Sequence, residues 1–147
     1  MTDDDTQNSD TAGRSAASDT ADEYVGAYDK LVRDDVPAVV RADGNRPVTR
    51  RVDGGEYERY LAAKLVEEAR EYADAVETEG SGANDGSDSD ESDDVLDELA
   101  DVHAVLDAIV DESAFSQDDV DAREREKATD RGRFVDGVVL ERIDAGE

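Results

Sequence analysis

Two short acidic clusters hold the side chains in this sequence that could do chemistry. The first is Lys64-Leu65-Val66-Glu67-Glu68-Ala69-Arg70-Glu71, and the second is Asp97-Glu98-Leu99-Ala100-Asp101. At about 100° per residue, Glu67, Glu68 and Glu71 fall within roughly one quadrant of a helix, so their oxygens point together. Two such motifs on packed helices could hold a hard cation such as Mg²⁺, and a bound cation of that kind neutralises a nucleotide's phosphates. Oxygen-only ligation with open water positions suits Mg²⁺ or Mn²⁺ rather than Zn²⁺. Without a cation, carboxylates brought this close repel, which raises some of their pKa values.

Acid is abundant here, so spacing alone says little. Asp and Glu make up 42 of 147 residues against 16 Lys and Arg, and the formal net charge is −26. The only lysines are Lys30, Lys64 and Lys127, and the aromatic content is 5%. This composition fits a halophilic protein that stays dissolved in high salt, where screening weakens its self-repulsion. Such a surface should repel nucleic acid and anionic membranes, so an anionic ligand needs a local basic or metal-bearing site. With no cysteine, disulfides, thiol catalysis and zinc–thiolate sites are excluded. No apolar run approaches the roughly 18 residues of a membrane span. The start, Met1-Thr2-Asp3-Asp4-Asp5, lacks the basic and apolar parts of a signal peptide, so the expected location is cytoplasmic.

The elements that must position the clusters follow from hydrophobic period. Residues 1–26 are Asp, Ser, Thr, Ala and Gly with almost nothing to bury, and read as a disordered acidic tail. A single helical domain is expected over 27–144, with a flexible acidic loop at about 78–91. Asp34 or Asp35 can cap a short helix containing Pro37, with Val36, Val39 and Val40 facing inward. Pro47 to Val52 is β-like, and Asp53-Gly54-Gly55 turns into the first long helix.

From Glu56 to about Glu77, Leu61, Leu65, Tyr72 and Val76 form one stripe, and Glu68 takes the position between Leu65 and Tyr72. A carboxylate on that line is costly to bury unless something pairs with it. From about Asp93 to Glu112, Val95, Leu99, Val102, Leu106 and Ile109 repeat the pattern. Glu98 lies on the stripe's edge and Asp101 about 60° further round. Ser116-Gln117-Asp118-Asp119 begins a polar helix that Gly132 should end, and Phe134 to Leu140 reads as a strand or extended arm. His103 is expected to be a partly buried structural histidine, and Tyr57, Tyr60 and Tyr72 core or interface residues.

The order of these blocks resembles the MazG-like nucleotide pyrophosphohydrolases, the all-α group that includes phosphoribosyl-ATP pyrophosphohydrolase. The resemblance rests on Lys30-Leu31-Val32-Arg33-Asp34, Lys64 to Glu71, Glu98 to Val102, and Lys127 with Arg131-Gly132-Arg133-Phe134. It implies a four-helix-bundle-like unit whose Glu68, Glu71, Glu98 and Asp101 bind Mg²⁺. It further implies cleavage between the α and β phosphates of a nucleoside triphosphate, giving a monophosphate and pyrophosphate. Glu67 would be a further ligand or the group that orients the attacking water, with Glu68 sharing the catalytic role. Lys30, Arg33, Lys64, Lys127 and Arg131 would contact phosphate. Arg133 stands where relatives of this type carry the second of two glycines before the late phenylalanine.

Two long amphipathic helices leave apolar surface that one short chain covers poorly, so a homodimer or homotetramer is expected. Two other readings remain. One is a non-catalytic member of the same fold that binds nucleotide or a protein; the other is an acidic interaction module whose motifs are accidents of composition.

Overall fold

The computed structural model describes residues 28–81 and 88–146. The expected disordered tail at 1–26 lies outside them. Among the described residues the chain is all-α with no strand, and has four helices: α1 (Val36–Ala42), α2 (Gly54–Ser81), α3 (Asp88–Glu112) and α4 (Gln117–Arg131).

Helices α2 and α3 pack along one another and form the body of the molecule. Helix α2 has 28 residues, about 42 Å at 1.5 Å per residue, and six residues separate its end from α3. Six residues reach only about 25 Å, so helices that pack along their length must run antiparallel. This hairpin sets Glu68 opposite Glu98 at similar distances from the connection.

Both long helices extend beyond their expected limits. Residues 78–81 end α2 and 88–91 begin α3, while 82–87 of the expected loop lie outside the described residues. The Thr78 hydroxyl donates to the Asp74 carbonyl at 2.9 Å, a back-bond that lets a polar residue stay helical. Acidic sequence at 88–91 suits a helix start, where the dipole favours negative charge.

The core is thin. Leu61, 2% exposed, is the buried apolar residue among those described. Tyr57, Tyr60, Leu65 and Tyr72 on α2 are half-buried, as are Val95, Val102, Val105 and Ile109 on α3. Val76, Leu99 and Leu106 share the expected stripes but remain exposed. Helix α1 starts at the expected place with Pro37 in its first turn, yet the Asp35 side chain makes no capping bond. Val36 and Val40, one turn apart, are half-buried, whereas Val39 is exposed. A seven-residue helix has one inward line, and Val39 lies off it.

Helix α4 begins at Ser116 with a capping box: the Asp119 amide donates to Ser116 Oγ at 3.2 Å and the Ser116 amide to Asp119 Oδ2 at 2.8 Å. It ends at Gly132, whose φ of 81° is strained for any residue with a side chain. The following segment, 133–146, has neither helix nor paired strand. The β-like pattern of Phe134 to Leu140 thus ends as an unpaired arm that bends at Phe134 and turns at Val135 and Asp136.

Candidate metal centre

Glu68 is the hub of the site. It occupies the core line of α2 and is 4% exposed, the buried charged residue among those described. One turn earlier on the same helix, Lys64 Nζ approaches Glu68 Oε1 at 2.6 Å and Glu67 Oε2 at 3.4 Å. Burial opposes the Lys64 charge, but its hydrogen bonds and attraction to Glu68, then Glu67, prevail and raise its pKa.

Two triads of carboxylates meet at Glu68. Glu67, Glu68 and Glu71 form one along α2, and Glu68, Glu98 and Asp101 form the other across α2 and α3. Within each triad the candidate ligand oxygens lie within 4.8 Å of one another. All five acidic residues singled out from the sequence are therefore gathered. Glu68 Oε2 and Glu98 Oε2 are buried and have no hydrogen-bond partner. A buried carboxylate oxygen without a partner carries an unmet desolvation penalty. A hard cation would remove it, and the all-oxygen donor set fits Mg²⁺ or Mn²⁺.

Electrostatics separates the five acids. Burial, followed by repulsion from Asp101 and Glu68, pushes the Glu98 carboxyl above the usual range. Burial and interactions with Glu68, then repulsion from Glu98, do the same to Glu71. Glu67 goes the other way, because a hydrogen bond from Lys30 holds its carboxyl below the usual range.

The N-terminal segment supplies cations to this face. Lys30 Nζ contacts Glu67 Oε1 at 2.7 Å, and Arg33 meets Asp101 Oδ1 at 2.5 Å. The hydrogen bond to Asp101 raises the Arg33 pKa. This segment is itself tied to α2 by contacts that the sequence motifs did not indicate. The Tyr60 hydroxyl donates to Asp29 Oδ1 at 2.5 Å and accepts from Arg50 at 2.9 Å, while Arg50 pairs with Glu56 at 2.8 Å. Tyr60 and Asp29 thus place Lys30 and Arg33 beside the acids. An Asp–Tyr–Arg link joining distant parts of a chain has no local spacing that could reveal it.

Lys127 and Arg131 are elsewhere. They line an open groove on α4 with Arg123, Arg133 and the rings of Phe115 and Phe134. Of the five expected phosphate contacts, the chain brings Lys30, Arg33 and Lys64 to the carboxylates and leaves two on α4. Arg133 lines the same groove. His103 is exposed rather than partly buried, and stands in neither triad. Tyr57, Tyr60 and Tyr72 are half-buried on α2.

No helix among the described residues is long and apolar enough to cross a membrane. No family model, curated protein or solved structure matches this chain.

Proposed function

We propose that this protein is a Mg²⁺-dependent nucleoside triphosphate pyrophosphohydrolase that cleaves between the α and β phosphates and releases a monophosphate and pyrophosphate. The observation that carries this reading is the pair of partnerless buried oxygens, Glu68 Oε2 and Glu98 Oε2, within a five-carboxylate cluster flanked by three cations. Acidic composition explains exposed carboxylates; it does not explain two buried oxygens without donors.

Glu68, Glu71, Glu98 and Asp101 would hold the cation, with Mn²⁺ as a possible substitute. When bound, the cation would supply charge neutralisation at the phosphate oxygens. The chain's own residues divide the remaining work. Glu67, kept ionised by Lys30, is suited to orient a water molecule or accept its proton. Lys30, Arg33 and Lys64 now neutralise the acids and can turn to phosphate when a cation takes over that task. In the same reading the protein comes from a halophile and works in the cytoplasm as a homodimer or homotetramer. It takes a nucleotide and neither nucleic acid nor membrane, and the MazG-like fold is the framework.

The ion pairs Lys64–Glu68, Lys30–Glu67 and Arg33–Asp101 favour a second reading. They already neutralise three of the acids without a cation, which suits a non-catalytic nucleotide- or protein-binding member of the fold. Pyrophosphate release from canonical and modified nucleoside triphosphates, in molar KCl with Mg²⁺ or Mn²⁺, separates the two. The hydrolase releases pyrophosphate only with the divalent ion, and Glu68→Gln abolishes release. If folded wild type shows no turnover on these or on phosphoribosyl-ATP, but melts at a higher temperature with nucleotide, the binding reading replaces it.

A further inference from the structure

We infer that α4 and the arm that follows it dock on α3 of a second copy of this chain. The inference specifies a surface for the oligomer in the reading above, and does not depend on the chemistry of that reading.

The arm's large apolar side chains are uncovered. Phe134, Val135, Val138, Val139, Leu140 and Ile143 are between 74% and 102% exposed. Phe115 and Val120 extend the patch onto the start of α4. Together these side chains present on the order of 1,000 Å², against about 800 Å² per partner in a stable interface. A patch this large is rarely left in water.

A matching face exists on α3. Leu96, Leu99 and Leu106 are exposed at a spacing of three and then seven residues, which sets Leu99 and Leu106 on one line of the helix and Leu96 about 60° round from it. Asp93, Asp97, Asp107 and Asp111 are exposed on the same helix, and α3 contains no Lys or Arg. Two α3 faces set against each other would join like charges. The groove beside the arm carries Arg123, Lys127, Arg131 and Arg133 against Asp119 and Glu124. α4 and the arm together carry nine Asp and Glu against six Lys and Arg, so the complement to α3 is confined to this groove, where four cations face two acids.

A second copy is the occupant that has both halves. If each chain gives its arm and receives its partner's, the contact is reciprocal and closes as a two-fold dimer. It also explains how a chain with a single buried apolar residue among those described completes a core.

The chain has no cysteine, so single thiols can map the contact without background. Phe134→Cys and Leu99→Cys proteins, prepared separately and mixed under oxidising conditions in molar KCl, should form mainly the mixed disulfide between chains. Light scattering should give wild type as a dimer or larger, and Phe134→Asp should shift it at least tenfold toward monomer while circular dichroism stays helical. Monomeric wild type would overturn the inference. So would disulfides only between like variants, which would pair arm with arm or α3 with α3. A Phe134→Cys/Leu99→Cys double variant that cross-links within a monomer would show the arm folding onto its own chain, and would overturn it too. Pyrophosphate release from the wild type tests the chemistry separately: a monomer with turnover refutes the docking alone, and an arm-linked dimer without turnover refutes the hydrolase alone.

Discussion

The α2–α3 hairpin and the α4–arm region use the same kinds of residue in opposite ways. In the hairpin, helix is held by helix, and acids are drawn into a partly buried cluster with cations fixed on them. In the second region a helix stands on its own cap, the cations face an open groove, and the apolar side chains have nothing to cover them. A charge therefore has a different weight in each. Around Glu68, removing a partner leaves a buried ion; around Arg123, whose pair with Glu126 is exposed, water takes the partner's place.

The sharpest test of that contrast is Lys64→Met. Lys64 is mostly buried and contacts Glu68, so its loss leaves the Glu68 carboxylate with neither oxygen paired. We expect destabilisation of roughly 2–3 kcal/mol, somewhat less than full rupture of a buried pair because Lys64 keeps some solvent contact. Denaturant melts in molar KCl measure this. Adding Glu68→Gln should restore much of the loss, since no buried charge then remains. Equal losses from Lys64→Met and Arg131→Met would abolish the distinction between the regions.

A smaller effect should come from pH at Glu98 and Glu71. Their folded pKa values are raised, by burial first and by neighbouring carboxylates next. A raised carboxyl contributes stability that is fully present below its unfolded pKa and is lost as pH rises through its folded pKa. Without divalent ions, the melting temperature should therefore climb as pH falls from neutral toward the upper edge of the carboxylate range. Glu67 behaves oppositely: its lowered pKa gives stability above the unfolded value, which is lost only as pH falls through the folded one. Further acid should then reverse the climb. The whole chain's negative charge adds a background slope, so the readout is wild type minus Glu98→Gln. At neutral pH, Mn²⁺ should raise the wild-type melting temperature and leave Glu98→Gln nearly unmoved. The same response in both would remove Glu98 from the centre.

The two regions also differ in how much of them was legible beforehand. The hairpin was readable because its information is local: Leu61, Leu65 and Tyr72 mark one face by period, and Glu68 interrupts that face where a buried charge is conspicuous. Once two such helices pair, Glu68, Glu98 and Asp101 meet as a consequence. Ser116 and Gly132 were readable for the same reason, as start and stop signals. Period identifies an apolar face but not its occupant, which is why Leu99 and Leu106 fit the stripe and remain exposed. The arm's alternating residues satisfy a strand pattern, but pairing needs a second strand that the described residues do not supply. Lys127 and Arg131 could not be placed from spacing, because their distance from the carboxylates depends on tertiary closure. The Asp29–Tyr60–Arg50 link has no motif. His103 is exposed, since a histidine beside an apolar stripe is half-covered only where a neighbour lies on that side.

The smallest predicted effect tests whether α4 stands on its cap. In Ser116→Ala, the Asp119 amide loses the hydroxyl acceptor and keeps the carbonyl of residue 116 at 3.1 Å, while the Asp119 carboxylate can still accept from the backbone amide at position 116. Removal of a cap serine costs about 1 kcal/mol. In a helix packed as α2 is, such a loss would spread through the whole cooperative unit. In α4 it should stay local once the docked arm is released in the Phe134→Asp monomer, the background for this comparison, because few tertiary contacts within the chain carry it onward. Amide exchange along α4 should accelerate several-fold in Ser116→Ala, with α2 and α3 unchanged. Acid should have a related effect in the wild type. Hydrogen bonds from the Ser116 backbone and then its hydroxyl lower the Asp119 pKa, so the cap is intact above the ordinary carboxyl range and fails as pH falls through the folded value. If instead α2 and α3 exchange faster together with α4, the helix is joined to the hairpin, and the arm's partner must be sought within the same chain.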